Sequence, residues 1–74
     1  MENVKLLSPG ERRIVIALTY GSLYKEIADD YDLSINTVKK HLKNAYKKLQ
    51  VKSRKQAVKM FIEYEKNLKE KALN

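Results

Sequence analysis

No cysteine occurs in the 74 residues, which removes disulfides, zinc–thiolate sites and thiol nucleophiles at once. One proline and two glycines are too few for the tight reversals of a β-sandwich. Aromatic residues make up only 8% of the chain, and no aromatic surface for stacking single-stranded bases stands out, which weakens an RNA-binding reading. The single histidine, His41, forms neither a zinc site nor a catalytic dyad alone; its position suggests packing or a backbone hydrogen bond, with a phosphate contact as the alternative. Asp29, Asp30 and Asp32 hint at calcium, but Ser34 and Lys40 stand where an EF-hand loop needs glycine and glutamate. No apolar run approaches the roughly 18 residues of a membrane span. The opening Met1-Glu2-Asn3-Val4-Lys5 lacks the basic-then-apolar pattern of a signal peptide. The expectation is a cytoplasmic protein with no membrane contact, no metal and no cofactor.

What is present suits one small soluble domain spanning 1–74, since this length leaves no room for two cores. Hydrophobic residues make up 43% and charged residues 34%, with a net charge of +7. The charge is unevenly placed. From Leu33 to Ile62 there are nine basic residues and no acidic one, whereas the flanking stretches are acidic or balanced. A localised positive field attracts a polyanion, although lysine-rich solvated surfaces are common in small proteins.

The pattern predicts an all-α fold of four helices and no sheet. Ser8-Pro9-Gly10-Glu11 opens the first ordered element: serine as N-cap, proline at N1, and Glu11 closing a capping box. The Ile14, Val15 and Leu18 spacing carries that helix to Gly21. A second helix covers about Leu23 to Tyr31, with Ile27, Ala28 and Tyr31 as its buried face. After Asp32 and Leu33, Ser34 caps a long helix to about Leu49, and Ile35, Val38, Leu42, Ala45 or Tyr46, and Leu49 form its core stripe. The opposite side holds Asn36, Lys39, Lys40, Lys43, Asn44 and Lys47. Ser53-Arg54-Lys55-Gln56 reads as another capping box. The last helix is expected to fade at Leu68 and to fray beyond it.

Two short helices joined through Asp32, Leu33 and Ser34 read as a helix-turn-helix, whose second helix enters the DNA major groove. The groove is about 12 Å wide and a helix about 10 Å across, so the fit is steric before it is chemical. Lysine, asparagine and threonine supply the donors and acceptors that phosphates and base edges require.

The run Leu7-Ser8-Pro9-Gly10-Glu11, Gly21, Lys25-Glu26-Ile27-Ala28, Leu33-Ser34, Thr37-Val38-Lys39, His41, Asn44, Lys48-Leu49, Val51, Arg54 and Gln56-Ala57 resembles the LuxR-type helix-turn-helix domain. The likeness extends over about residues 6–62. It implies a four-helix DNA-binding domain of a transcriptional regulator, reading double-stranded DNA through the third helix and often dimeric through the fourth. Many members carry the domain behind a receiver or sensor domain; this chain is similar to the free-standing regulators or to an excised piece. Carried over residue by residue, Lys39, Lys40 and Lys43 face base edges, while Lys25 and Lys47 flank the groove at phosphates. Asn36, Thr37, Asn44 and Tyr24 complete the phosphate or flanking set; a bond to a local carbonyl is the alternative for Thr37. Two positions depart from the family. Gly10 replaces a charged residue, commonly arginine. Leu23 replaces the small hydroxyl residue that caps the second helix, leaving Ser22 as a candidate cap one residue earlier.

Arg54 reads either as a phosphate contact or as a partner for Glu11 or another acid. Tyr31 and Tyr46 look like core residues with polar tips. On the fourth helix, Ala57, Phe61, Tyr64 and Leu68 form one apolar row and Val58 and Ile62 a second. One row can pack inward and leave the other for a twin; the first is expected at a homodimer contact, with both rows buried in a monomer as the alternative. A small hydrolase finds no nucleophile–base pair, glycine loop or metal cluster to support it. A protein-interaction module, binding RNA polymerase or another regulator, is the serious rival, because a fold does not fix function.

Overall fold

The computed structural model describes residues 2–73, and side chains from Asn3 to Glu70. After a 3₁₀ turn at Glu2–Leu6, four α-helices follow: α1 (Pro9–Thr19), α2 (Tyr24–Asp30), α3 (Ile35–Leu49) and α4 (Arg54–Leu73). The described residues contain no strand. Order begins earlier than Ser8: Val4 in the 3₁₀ turn is fully buried and joins Leu7 in the core, under α3.

The start of α1 has the expected chemistry. Ser8 Oγ accepts from the Glu11 N–H at 3.1 Å, and Glu11 Oε1 accepts from the Ser8 N–H at 2.9 Å, so two otherwise orphaned donors are satisfied. At α3, Ser34 Oγ accepts from the Thr37 N–H at 3.0 Å. Ser53 Oγ likewise accepts from the Gln56 N–H at 3.2 Å, but Gln56 Oε1 reaches past Ser53 to the Lys52 N–H at 2.8 Å. The box expected at Ser53 is therefore only half made. At α2 the cap is Leu23, which has no acceptor; Glu26 Oε1 still takes the Leu23 N–H at 2.7 Å. Ser22 does not cap this helix.

The first three helices end in the same way. A residue with positive φ follows each, namely Gly21 at 79°, Asp32 at 54° and Gln50 at 58°. In each case the next N–H folds back: Ser22 to the Ala17 carbonyl at 3.2 Å, Leu33 to Ala28 at 2.8 Å, and Val51 to Tyr46 at 3.0 Å. These are Schellman closures, which satisfy carbonyls that the helix leaves open. Glycine adopts this backbone freely, and aspartate more readily than most side chains.

α3 is the central element, packing on α1, α2 and the 3₁₀ turn, while α4 packs on α1. Ile14, Val15 and Leu18 of α1 meet Ile27 and Ala28 of α2, Val38, Leu42, Ala45 and Leu49 of α3, and Ala57, Phe61 and Tyr64 of α4 in one core. Two expected core residues lie outside it. Ile35, the first residue of α3 beside the turn, is 41% exposed. Tyr31 follows the last residue of α2 as its C-cap, and its exposed ring stacks under Arg13 at 5.1 Å. α4 continues to Leu73, past the point at which its apolar pattern fades.

Candidate nucleic-acid interface

With about 100° between successive residues of an α-helix, the buried stripe Val38, Leu42, Ala45 and Leu49 fixes which side of α3 looks outward. Asn36, Lys40, Lys43 and Lys47 fall opposite that stripe, and all are exposed. Lys39, also exposed, lies at the edge nearer α2, while Asn44 is half-buried on the opposite edge. Among the described residues, none of Lys39, Lys40, Lys43 or Lys47 has an acidic partner. Lys39, Lys43 and Lys47 follow at intervals of four, where like charges destabilise a helix by about 0.2–0.5 kcal/mol per pair. This outer face carries an electrostatic cost that an anionic partner would relieve.

Thr37 is half-buried and its hydroxyl shares a 2.9 Å hydrogen bond with Ser34 Oγ, so its local partner is a hydroxyl. Lys25 is exposed on α2. Tyr24 packs partly into the core, with the Arg54 guanidinium 5.9 Å from its ring centre. Arg54 also donates to the Ser22 carbonyl at 2.9 Å. Arg54 thus ties the start of α4 to the loop before α2, and no acid among the described residues is its partner.

The acid expected as one choice for Arg54 is instead paired with Lys48. Glu11 is 5% exposed, and its Oε1 receives the Lys48 Nζ at 2.7 Å. Burial pushes the Glu11 carboxyl up, but the Lys48 and Ser8 hydrogen bonds outweigh it, and the group lies below the ordinary carboxylate range. One carboxylate thus caps α1 and holds the last turn of α3. Sequence reasoning missed this tie. The nearest signal was the capping box, which already placed Glu11 at a helix end.

Tyr46, expected as a core residue with a polar tip, is half-buried against the core. Burial first, then hydrogen bonding with the neighbouring Tyr24 phenol, push its hydroxyl up to about 12, so it stays protonated. His41 is half-buried against α1: a β-carbon built on Gly10 would lie 3.7 Å from its Cε1, an ordinary contact. Packing therefore does not demand glycine at position 10. No group of side chains able to hold a metal occurs among the described residues, and none of their helices is long and apolar enough to cross a membrane.

The expected dimer row needs correcting. Ala57, Phe61 and Tyr64 are buried within the protomer, Phe61 to 1% exposure, because this row is the one that packs inward from α4. Leu68, 44% exposed, is the only member of that row left open among the described residues. The second row is the outward one: Val58 is half-buried and Ile62 is 50% exposed. They line an open apolar groove of about 960 Å³ with Leu18, Thr19 and Gly21, rimmed by Arg54, Lys55, Lys59, Glu63 and Lys66.

Residues 5–61 match the family described as bacterial regulatory proteins, luxR family. The chain belongs to the luxR family. It is a helix-turn-helix, DNA-binding family of transcriptional regulators rather than of enzymes, and the all-α architecture agrees with it. Two relatives illustrate the likeness. The CsgBAC operon transcriptional regulatory protein of Escherichia coli (strain K12) is 47% identical over 53 residues, covering 72% of this chain and 24% of the relative. The spore germination protein GerE of Bacillus subtilis (strain 168) is 43% identical over 53 residues, covering 72% of each. Against the longer relatives the chain spans only 24% to 30% of their length. No solved structure matches the chain significantly.

Proposed function

We propose that the chain binds double-stranded DNA sequence-specifically by placing α3 in the major groove, with Lys39, Lys40 and Lys43 toward base edges. Lys25, Asn36, Thr37, Asn44, Lys47 and Tyr24 then approach the phosphates on either side and set the register of the helix. The observation that carries this reading is the outward face of α3: a lysine ladder without an acid, projecting beside a closed turn. Phosphate contacts position such a helix and base contacts give it preference. The likeness to the CsgBAC operon transcriptional regulatory protein supports transcriptional control at such a site.

The same reading extends to a homodimer. Two copies pairing across the outward row of α4, Val58 and Ile62, would cover the apolar groove that each leaves open. A two-fold pair sets its recognition helices about 34–36 Å apart, one turn of duplex, and so reads two half-sites.

A salt titration against duplex DNA tests the central claim. Binding is expected to weaken linearly in log–log form, by roughly 0.9 per phosphate neutralised. Binding to duplex that is absent, or indifferent to salt, would leave the lysine ladder as a solvated surface and the fold as a protein-interaction module.

A further inference from the structure

We propose that Arg54 is a positioning residue for DNA recognition: from the start of α4 it grips the loop and first residue of α2, and so fixes how α2 and the groove helix α3 are presented to the duplex. The inference rests on the reading of α3 as the groove helix. It adds a residue that touches no DNA and yet governs how well sequence is discriminated.

α2 has little of its own to hold it in place. It is seven residues long, and helices this short are marginal without tertiary support. Its cap, Leu23, offers no side-chain acceptor, unlike Ser8 on α1 and Ser34 on α3. It packs chiefly on α3. The start of α2 is nevertheless where Tyr24 and Lys25 must be held if they are to flank the groove.

Arg54 supplies the missing hold. Its Nη2 donates to the Ser22 carbonyl at 2.9 Å, and its Cζ lies 5.9 Å from the centre of the Tyr24 ring. Ser22 and Tyr24 stand on either side of Leu23, so one guanidinium brackets the cap position. Tyr24 packs partly against the core, beside the Tyr46 phenol of α3, and the grip therefore reaches α3 through two adjoining rings. Arginine suits both contacts at once: its planar fork donates at the edge while its face lies on a ring. A lysine ammonium is a point charge that serves one or the other.

The charge is misplaced for stability alone. Arg54 is the first residue of α4, where the helix dipole disfavours a cation. Lys55 follows it, and that first turn contains no acid. A residue that breaks a local rule without an acidic partner to offset it marks a candidate for function. A phosphate contact would account for the charge but not for the geometry. The side chain is half-buried, and its guanidinium is already engaged by a carbonyl and a ring.

Arg54→Lys and Arg54→Gln in the full chain are the test. Each is read by amide hydrogen exchange and by binding to a selected and a random duplex at several salt concentrations. In both variants exchange at the Ile27 and Ala28 amides of α2 should speed up, while that at Leu42 and Ala45 of α3 changes little. Preference for the selected duplex should fall by about three- to thirtyfold, the scale on which a residue outside the contact surface modulates binding. The salt slope should stay unchanged, because no phosphate contact is lost. Adding Leu23→Thr to Arg54→Lys gives α2 the side-chain cap it lacks and should restore the preference. The ratio of the two duplexes cancels any phosphate contact that the new hydroxyl makes. A preference that stays lost despite the cap overturns the hold on α2. A slope lower by about one in Arg54→Gln but not in Arg54→Lys makes Arg54 a phosphate contact and overturns the positioning role. Exchange that speeds up throughout the chain, with preference intact, makes Arg54 a residue of the fold alone and equally overturns it. Wild-type preference that Arg54→Lys retains overturns the positioning role alone, whereas a wild-type chain that ignores duplex DNA overturns the groove reading and the positioning role together.

Discussion

α3 and α4 both turn a lysine-rich side to solvent, but they do so with opposite neighbours. On α4, Lys59, Lys66 and Lys69 each have a glutamate four residues away: Glu63, Glu70 and Glu65. On α3, the residues four positions from Lys43 are Lys39 and Lys47. The first arrangement is self-compensating, because opposite charges at that interval are mildly favourable. The second accumulates potential. Lysine content therefore says little about function, and the spacing of acids among the lysines says much more. The one lysine of α3 that finds an acid among the described residues, Lys48 on Glu11, is on the side turned toward α1 and serves the fold. The inner faces differ as well: the stripe of α3 is buried along Val38 to Leu49, whereas that of α4 is covered only as far as Tyr64.

The largest expected effect breaks the inner side of α4. Phe61→Ala should cost about 3–5 kcal/mol, the range for removing a buried phenylalanine, seen as a lower urea midpoint. Ile62→Glu, one residue further on, should leave the midpoint nearly unchanged and shift sedimentation toward the monomer. Equal destabilisation by both would mean that the two rows of α4 are not inner and outer.

The lysines give the next effect. Lys40→Ala or Lys43→Ala should lower the preference for a selected site over random duplex by about 1–3 kcal/mol. Lys66→Ala on α4 should change neither affinity nor preference. Lys47→Ala should weaken all duplexes alike and reduce the salt slope by about one. A similar loss from Lys66 and Lys40 would erase the distinction between the two helices.

Glu11 sharpens the contrast from the structural side. Its carboxyl titrates lower in the folded chain than the ordinary 4.5. Its contribution is therefore fully present above about that pH and is lost as pH falls through the lower folded value. Glu11→Gln should remove this acid-limb dependence and cost about 1 kcal/mol at neutral pH, the scale of a helix cap. Melting temperatures followed from pH 7 down to pH 3 check it: the wild-type and variant curves should approach each other on the acid side.

Much of this was legible in the sequence because its signals are local. Ser8 and Glu11 announce a cap by spacing alone, Gly21 announces a helix end, and Val38 to Leu49 announce a buried stripe. The turn closures at Asp32 and Gln50 were less visible, since neither residue is glycine, although both adopt the same left-handed backbone. What stayed hidden depends on pairs far apart in the chain. Lys48 and Glu11 are 37 residues apart, and Arg54 meets the Ser22 carbonyl across 32. Pattern reading found two apolar rows on α4 but not which one packs inward, because periodicity gives the angle between rows and not the direction of the core.

The smallest expected effect lies at the start of α2, where the cap is compared with those of α1 and α3. At Ser8 and Ser34 a side-chain oxygen accepts a backbone N–H. At Leu23 nothing can, although the backbone is in the same extended conformation, φ −78° and ψ 154°, and Glu26 already supplies the reverse bond. Leu23→Thr would therefore complete an existing half of a capping box rather than build one. Leu23 is largely exposed, so little packing is lost with it. The gain should be about 0.5–1 kcal/mol, read as a rise in melting temperature of a few degrees for a domain this small. DNA affinity is the sharper part of the comparison, because a hydroxyl here would lie close to Lys25. Stabilisation without any change in duplex binding assigns Leu23 to the fold alone. Tighter binding to all duplexes by a common factor would show that a hydroxyl at this cap reaches phosphate.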